Sequence, residues 1–150
     1  MSKALSLMLF ILGVVLIGMF IGYATLPGEW YANLNKPWFT PPNWVFAPVW
    51  TALYIIIAIA GWRSWVRDGS STMMTLWFAQ MVLNFLWSPV FFGAQQPRLA
   101  LVVVFAALVA VLGFIAVAWN RDRVAAMLLL PYAAWMAFAT ALTAGVVTMN

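Results

Sequence analysis

The chain has 150 residues, 67% of them hydrophobic and 7% charged, with a net charge of +4 and neither cysteine nor histidine. A soluble domain carries about 25% charged residues, so this composition excludes a water-covered surface, and the missing cysteines exclude disulfides and thiol chemistry. The basic excess fits loops held on one side of a membrane rather than a nucleic-acid partner.

A membrane-spanning helix needs about 20 apolar residues to cross a hydrocarbon core of roughly 30 Å. In chain order, residues 4–26, 44–66, 72–93, 99–119 and 124–148 are stretches of that kind. They predict an all-α integral membrane protein, a single domain over residues 1–150 built as a bundle of five transmembrane helices. The first stretch is longer than the ~7–15-residue apolar region of a signal peptide and lacks a small-x-small cleavage site, so it is expected to stay as a helix. Gly18 and Gly22 on it form a small-xxx-small pattern suited to helix packing.

Connections near residues 67–71, 94–98 and 120–123 are short enough for antiparallel hairpins. Residues 27–43 are too many for that purpose, and a connector of this length in a small protein reads as a lid or binding loop. Pro37, Pro41 and Pro42 stiffen it against regular helix, while Trp30, Tyr31, Trp38 and Phe39 give it apolar weight. For Trp30 and Trp44 an interfacial aromatic belt is an equal reading.

Helical spacing gathers the unusual residues of the spans into stripes. Phe46, Trp50 and Tyr54 recur every four residues on the second span, and Trp77, Gln80, Asn84 and Trp87 share one face of the third. Tyr132, Trp135 and Ala139 form a stripe on the fifth, with Thr140 and Thr143 beside it. The amides of Gln80 and Asn84 lie near mid-membrane, where lipid offers them no partner. They must face inward, either as interhelical hydrogen bonds or as a polar anchor in a ligand cavity. Pro48, Pro89 and Pro131 are expected to interrupt three helices and open space between them.

Basic residues assign the orientation. Lys3, Arg63, Arg67, Arg121 and Arg123 fall on the side of the N-terminus and only Lys36 and Arg98 on the other, which predicts an N-terminus inside and a C-terminus outside.

Three segments carry a family resemblance. WYANLNKPWFTPPNWVFAPVWTALY from Trp30 to Tyr54, QMVLNFLWSPVFFGAQ from Gln80 to Gln95 and PYAAWMAFATAL from Pro131 to Leu142 closely resemble blocks of the TspO family, the tryptophan-rich sensory or translocator proteins also called peripheral-type benzodiazepine receptors. The resemblance implies a five-helix bundle, commonly a homodimer, in a bacterial cell membrane. It also implies a cavity under the first loop for tetrapyrroles such as protoporphyrin IX and for isoquinoline or benzodiazepine ligands. Carried over, the wall would comprise Trp38, Phe46, Ala47, Trp50 and Tyr54, then Gln80, Asn84, Trp87 and Phe91, and from the last helix Tyr132, Trp135, Phe138 and Ala139. Animal relatives carry a proposed cholesterol motif with a tyrosine and a basic residue near the C-terminus. Residues 139–150 contain neither, so sterol recognition by that motif is not expected.

A porphyrin is a flat aromatic plate with an acidic edge, suited to rings from several helices, and its propionates would favour a basic group at the mouth beside Trp30, where Lys36 is the candidate. Without histidine or cysteine the usual strong axial haem ligands are missing, so porphyrin is expected as a ligand, with no obligatory cofactor and no metal site. No acidic residue lies inside a span, which argues against coupled pumping. No nucleophile or acid–base pair marks a conventional enzyme; light-driven oxidative breakdown of bound porphyrin is the enzymatic alternative.

The charge bias is testable by labelling. A cysteine placed at Asn33 in this cysteine-free chain is expected to react in intact cells with a membrane-impermeant maleimide, and one at Ser70 is not. Reversed labelling inverts the orientation.

Overall fold

The computed structural model describes residues 2–68 and 71–150, with residue 68 described by its backbone alone. Ser70 and part of the hairpin expected at 67–71 lie outside the described residues. Among those described there is no strand. The elements are α1 (Lys3–Ala24), α2 (Glu29–Ala32), a 3₁₀ turn (Asn43–Val45) leading into α3 (Phe46–Asp68), α4 (Thr72–Ser88) continued by a π-helical turn (Pro89–Gly93), α5 (Pro97–Ala118), α6 (Arg123–Leu128) and α7 (Leu130–Met149). Five of the resulting helical units, Lys3–Ala24, Asn43–Arg67, Thr72–Gly93, Pro97–Ala118 and Arg123–Met149, are long and apolar enough to cross a membrane. This is a multi-pass integral membrane protein, a bundle of five transmembrane helices.

Helix starts follow local chemistry. Ser2, Ser71 and Asp122 accept from the backbone N–H of Leu5, Met74 and Ala125 at 3.1, 3.3 and 3.3 Å, satisfying donors that a helix leaves unpaired in its first turn. Pro97 opens α5, where its missing N–H costs nothing.

The prolines act differently from the three interruptions expected. Pro48 lies in the first turn of α3, where no intrahelical donor is needed, so that helix is not broken there. Pro131 splits the fifth span into α6 and α7 around Leu129. Pro89 turns the end of α4 into a π-helical turn closed by Ala94 N–H to the Pro89 carbonyl at 2.8 Å. A proline removes one i→i−4 bond and crowds the preceding turn, and a wider turn relieves both. The small helix α2, between Pro27 and Pro37 of the first loop, is an addition to the five expected spans.

Packing is uneven along the membrane normal. α1 lies along α3, and α5 lies along both α4 and α7, whereas α3 meets α4 and α7 only sparsely. The two groups are sewn together at the end remote from the first loop. There Trp77 donates its indole N–H to the Ile57 carbonyl of α3 at 2.9 Å, which is feasible because Gly61 lies under the indole, where a Cβ would collide with the ring. Phe10 of α1 closes on Trp77 at 5.7 Å between ring centroids. Beyond them Arg63 of α3 donates to both oxygens of Asp122 at 2.9 and 3.0 Å.

Asp122 therefore caps α6 and clamps it to α3. Burial works to raise its pKa, but the Arg63 guanidinium, the Ala125 amide and the charge of Arg67 outweigh that and hold it below the ordinary carboxylate value. A depressed folded-state pKa contributes stability that is complete above the unfolded value of about 3.9 and is lost as pH falls through the folded value. Thermal stability in detergent is thus expected to be flat through neutral pH and to decline below about pH 4. Asp122→Ala should abolish this clamp's share of the acid limb and lower stability by about 2 kcal/mol, the sum of a lost cap and a lost charged hydrogen bond. An acid limb identical in the two proteins would assign the pH dependence to other groups.

Candidate functional site

Toward the first loop the helices part around a cavity of about 610 Å³, within the roughly 300–1,000 Å³ typical of small-molecule sites. Its walls come from the end of α1, the start of α3, the end of α4 with its π turn, and α7 from Trp135 to Val146. α5 contributes nothing to the wall; it braces α4 and α7 from outside. No acidic or basic side chain lines the space among the described residues.

The floor is a hydrogen-bonded node. The Tyr132 hydroxyl, fully buried on α7, donates to Gln80 Oε1 at 2.7 Å and accepts from Asn84 Nδ2 at 2.6 Å. One hydroxyl thereby satisfies two mid-membrane amides and ties α4 to α7. Asn84 reaches the cavity wall and Gln80, one turn deeper, does not.

Above the floor stand rings. Trp50 lies tilted against Tyr54 at 5.4 Å and edge-on to Trp135 at 6.3 Å, and Phe46 meets Trp135 at 6.0 Å. Across the space Trp87 stacks on Phe91 at 5.1 Å. The π turn re-aims Phe91 and Phe92, and Tyr31 of α2 inserts against both at 6.1 and 5.2 Å.

The roof is the first loop, fastened at both ends. On the α4 side Tyr31 lies over the π turn, where burial pushes its phenol pKa up from the ordinary value. On the α7 side the Asn35 N–H donates to Asn150 Oδ1 at 3.1 Å, Asn150 Nδ2 donates back to the Asn35 carbonyl at 2.8 Å, and Asn35 Nδ2 reaches the Met149 carbonyl at 3.2 Å. Pro37 rests on Gly145, where a Cβ would collide with its ring. Thr40 and Asn43 complete the loop's part of the wall.

Of the residues carried over from the family resemblance, Phe46, Ala47, Trp50, Tyr54, Asn84, Trp87, Phe91, Trp135 and Ala139 line this one space. Gln80 and Tyr132 lie beneath it. Phe138 stands behind the wall between Trp135 and Phe39 at 5.4 and 5.9 Å. Trp38 is 94% exposed, its ring edge-on to Phe39 and turned away from the cavity. Trp30 packs on the outer side of Phe91, and Trp44 is exposed as a belt residue would be. The Lys36 ammonium is engaged by the carbonyls of Tyr31, Ala32 and Leu34 at 2.8, 3.3 and 3.2 Å and lies 4.6 Å from the Tyr31 ring centroid. It caps α2 and does not face the cavity.

The end of α1 had no place in the expected wall, yet Ile21, Gly22 and Thr25 belong to it. Gly18 does pack closely, with the Tyr54 ring where a Cβ would stand, whereas a Cβ on Gly22 would meet nothing within 4 Å. Both glycines line the cavity, and Gly18 is a close packing contact as well. Thr25 shares a hydrogen bond with Ser88 and donates to the Ile21 carbonyl, closing α1 against α4. Thr143, already placed beside the α7 stripe, and Val146 continue it by one and two turns, and extending that spacing would have added both to the wall.

A multi-pass membrane bundle that holds a ring-walled cavity under a fastened loop, with no charged side chain in the wall among the described residues, is the class of protein that the fold defines. The TspO/MBR family model matches residues 9–149, and the chain belongs to that family. The Tryptophan-rich protein TspO of Archaeoglobus fulgidus is 40% identical, with 97% of each chain covered. The Tryptophan-rich sensory protein of Cereibacter sphaeroides is 39% identical over 83% of this chain and 78% of its own. The Translocator protein of Homo sapiens is 41% identical over 84% of this chain and 79% of its own.

The node beneath the cavity is structural as well as chemical. Tyr132→Phe leaves Gln80 Oε1 and Asn84 Nδ2 without their shared partner in a low dielectric, so thermal unfolding in detergent is expected to show a loss of roughly 1–3 kcal/mol. Unchanged stability would mean that water or another side chain replaces the hydroxyl.

Proposed function

We propose that this protein is a membrane receptor or regulator that holds a flat, hydrophobic ligand of the tetrapyrrole type in the cavity between α1, α3, α4 and α7. The observation that carries this reading is the cavity itself, about 610 Å³ walled by Phe46, Trp50, Trp87, Phe91 and Trp135, with no charged side chain among the described residues. Rings from three elements can sandwich a conjugated plate, each good contact contributing about 0.5–1.5 kcal/mol beyond area burial. The names of the relatives, sensory protein and translocator protein, are both consistent with a bound small molecule and differ in the consequence of its binding. Holding or buffering the ligand suits this chain better than coupled pumping, because no acidic residue lies within a described span. A homodimer in the cell membrane, N-terminus inside, is the assembly that goes with this reading.

Lys36 is committed to the α2 carbonyls, so the acidic edge of a porphyrin would emerge at the mouth near Thr40 and Asn43 without a dedicated cation. A second reading, light-driven oxidation of the bound porphyrin, draws on the contiguous rings Trp135, Trp50 and Tyr54 as electron donors at the ligand's face.

Titration of the purified protein with protoporphyrin IX, followed by quenching of its tryptophan fluorescence, tests the reading. Trp50→Ala and Trp135→Ala should each weaken binding at least tenfold, about 1.4 kcal/mol, with the helical content retained. Full affinity in both variants would reduce these rings to packing. Parallel incubation in light and dark separates the two readings, since only the second changes the porphyrin absorption spectrum in light.

A further inference from the structure

We propose that the indole N–H groups of Trp87 and Trp135 select the ligand by donating to acceptors on its inserted, uncharged portion. This inference rests on the ligand-binding reading above and specifies the chemistry of what the cavity takes.

Hydrogen-bond accounting leads to it. Most polar side chains of the wall are already served by the protein. Thr25 bonds to Ser88 and the Ile21 carbonyl, Thr40 to the Pro37 carbonyl, Thr51 to the Ala47 carbonyl, Thr143 to the Ala139 carbonyl, and Asn84 to Tyr132. Among the described residues, two buried side-chain nitrogen or oxygen atoms have no partner, Trp87 Nε1 and Trp135 Nε1. Both belong to cavity-lining rings, one on α4 and the other on α7. Indole N–H is a donor only, and a buried donor left unpaired carries the full cost of its desolvation. Trp77 and Trp62 avoid that cost by donating to the Ile57 carbonyl and to Ser6 Oγ at 2.9 Å each. The two orphans therefore coincide with the cavity, whereas these indoles elsewhere are paired.

The wall also restricts the partner. With no basic side chain in the wall among the described residues, a carboxylate entering the cavity would lose its hydration without a counter-charge. A carbonyl or imine acceptor in an aromatic frame makes the missing bonds without that penalty. Both N–H groups are buried, so a ligand reaches them by turning the indoles, which are held by edge-to-face and stacking contacts with Trp50, Phe46 and Phe91. Ionised groups stay at the mouth and neutral acceptors go to depth.

The test replaces each tryptophan by β-(3-benzothienyl)alanine, which keeps the bicyclic shape and lacks the N–H. Binding is read with protoporphyrin IX dimethyl ester and with the matched flat pair anthraquinone and anthracene, the first carrying two carbonyl acceptors and the second none. Either replacement should weaken anthraquinone and porphyrin-ester binding by roughly tenfold, the worth of one ligand hydrogen bond, while anthracene affinity stays within twofold. The ligand-free variants should melt at or above the temperature of the parent, since an unsatisfied donor has been removed. The indole ¹H–¹⁵N resonances of Trp87 and Trp135 should move downfield with anthraquinone and not with anthracene. Equal losses for both members of the pair, or no loss and no resonance shift with anthraquinone, would overturn the proposal. Failure of every porphyrin to quench the parent would instead defeat the tetrapyrrole reading and leave the acceptor question to be decided by the anthraquinone pair.

Discussion

The Tyr132 hydroxyl is the contact on which the layout depends. In hydrocarbon no water is available to serve a side-chain amide, so placing Gln80 and Asn84 at mid-depth of α4 obliges another helix to bring them a partner. Tyr132 does so from α7, donating to one amide and accepting from the other. That node divides the molecule. On one side the helices close tightly around Trp77, Ile57, Phe114 and Leu129, and on the other they part around the cavity that Asn84 enters.

The division has a backbone cause as well. Close approach needs small residues, and Gly61 under the Trp77 indole and Gly18 under the Tyr54 ring provide it in the sealed half and at its upper edge. Toward the first loop the wall is shaped by a proline-driven π turn that points Phe91 and Phe92 inward. A single extra residue per turn is enough to change which side chains face the space. Stability and function thus occupy different levels of the same helices: α4 contributes Trp77 to the closed end and Trp87 to the cavity.

Charge obeys the same economy of partners. The one basic residue within an apolar stretch, Arg63, lies near the end of its helix and meets Asp122, which itself caps α6. Lys36 is likewise absorbed by the carbonyl end of α2. Arg63 and Lys36, the second of them the cation expected at the mouth, both serve helix ends, which leaves the cavity without a charge among the described residues and its recognition to rings, amides and indole N–H groups.

What the sequence determined by itself was the membrane, the five spans and the stripes that hold Phe46, Trp50, Tyr54, Asn84, Trp87, Trp135 and Ala139, because each follows from one-dimensional pattern. Apolar length sets a span, and four-residue spacing sets a face, so Phe46, Trp50 and Tyr54 or Asn84 and Trp87 could be grouped before any fold was known. What only the tertiary structure decided were the relations between helices and the orientation of side chains off them. Tyr132 and Gln80 share the stripes of cavity residues but bond to each other in the floor, beneath the space. Trp38 points outward since the loop is fastened through Asn35 and Pro37 to α7. The end of α1 became wall with both Gly18 and Gly22 in it, although only Gly18 is pressed against a ring, that of Tyr54. Spacing reports which residues share a face; whether that face meets a partner, a ligand or lipid depends on which helices stand opposite, and that is settled by packing.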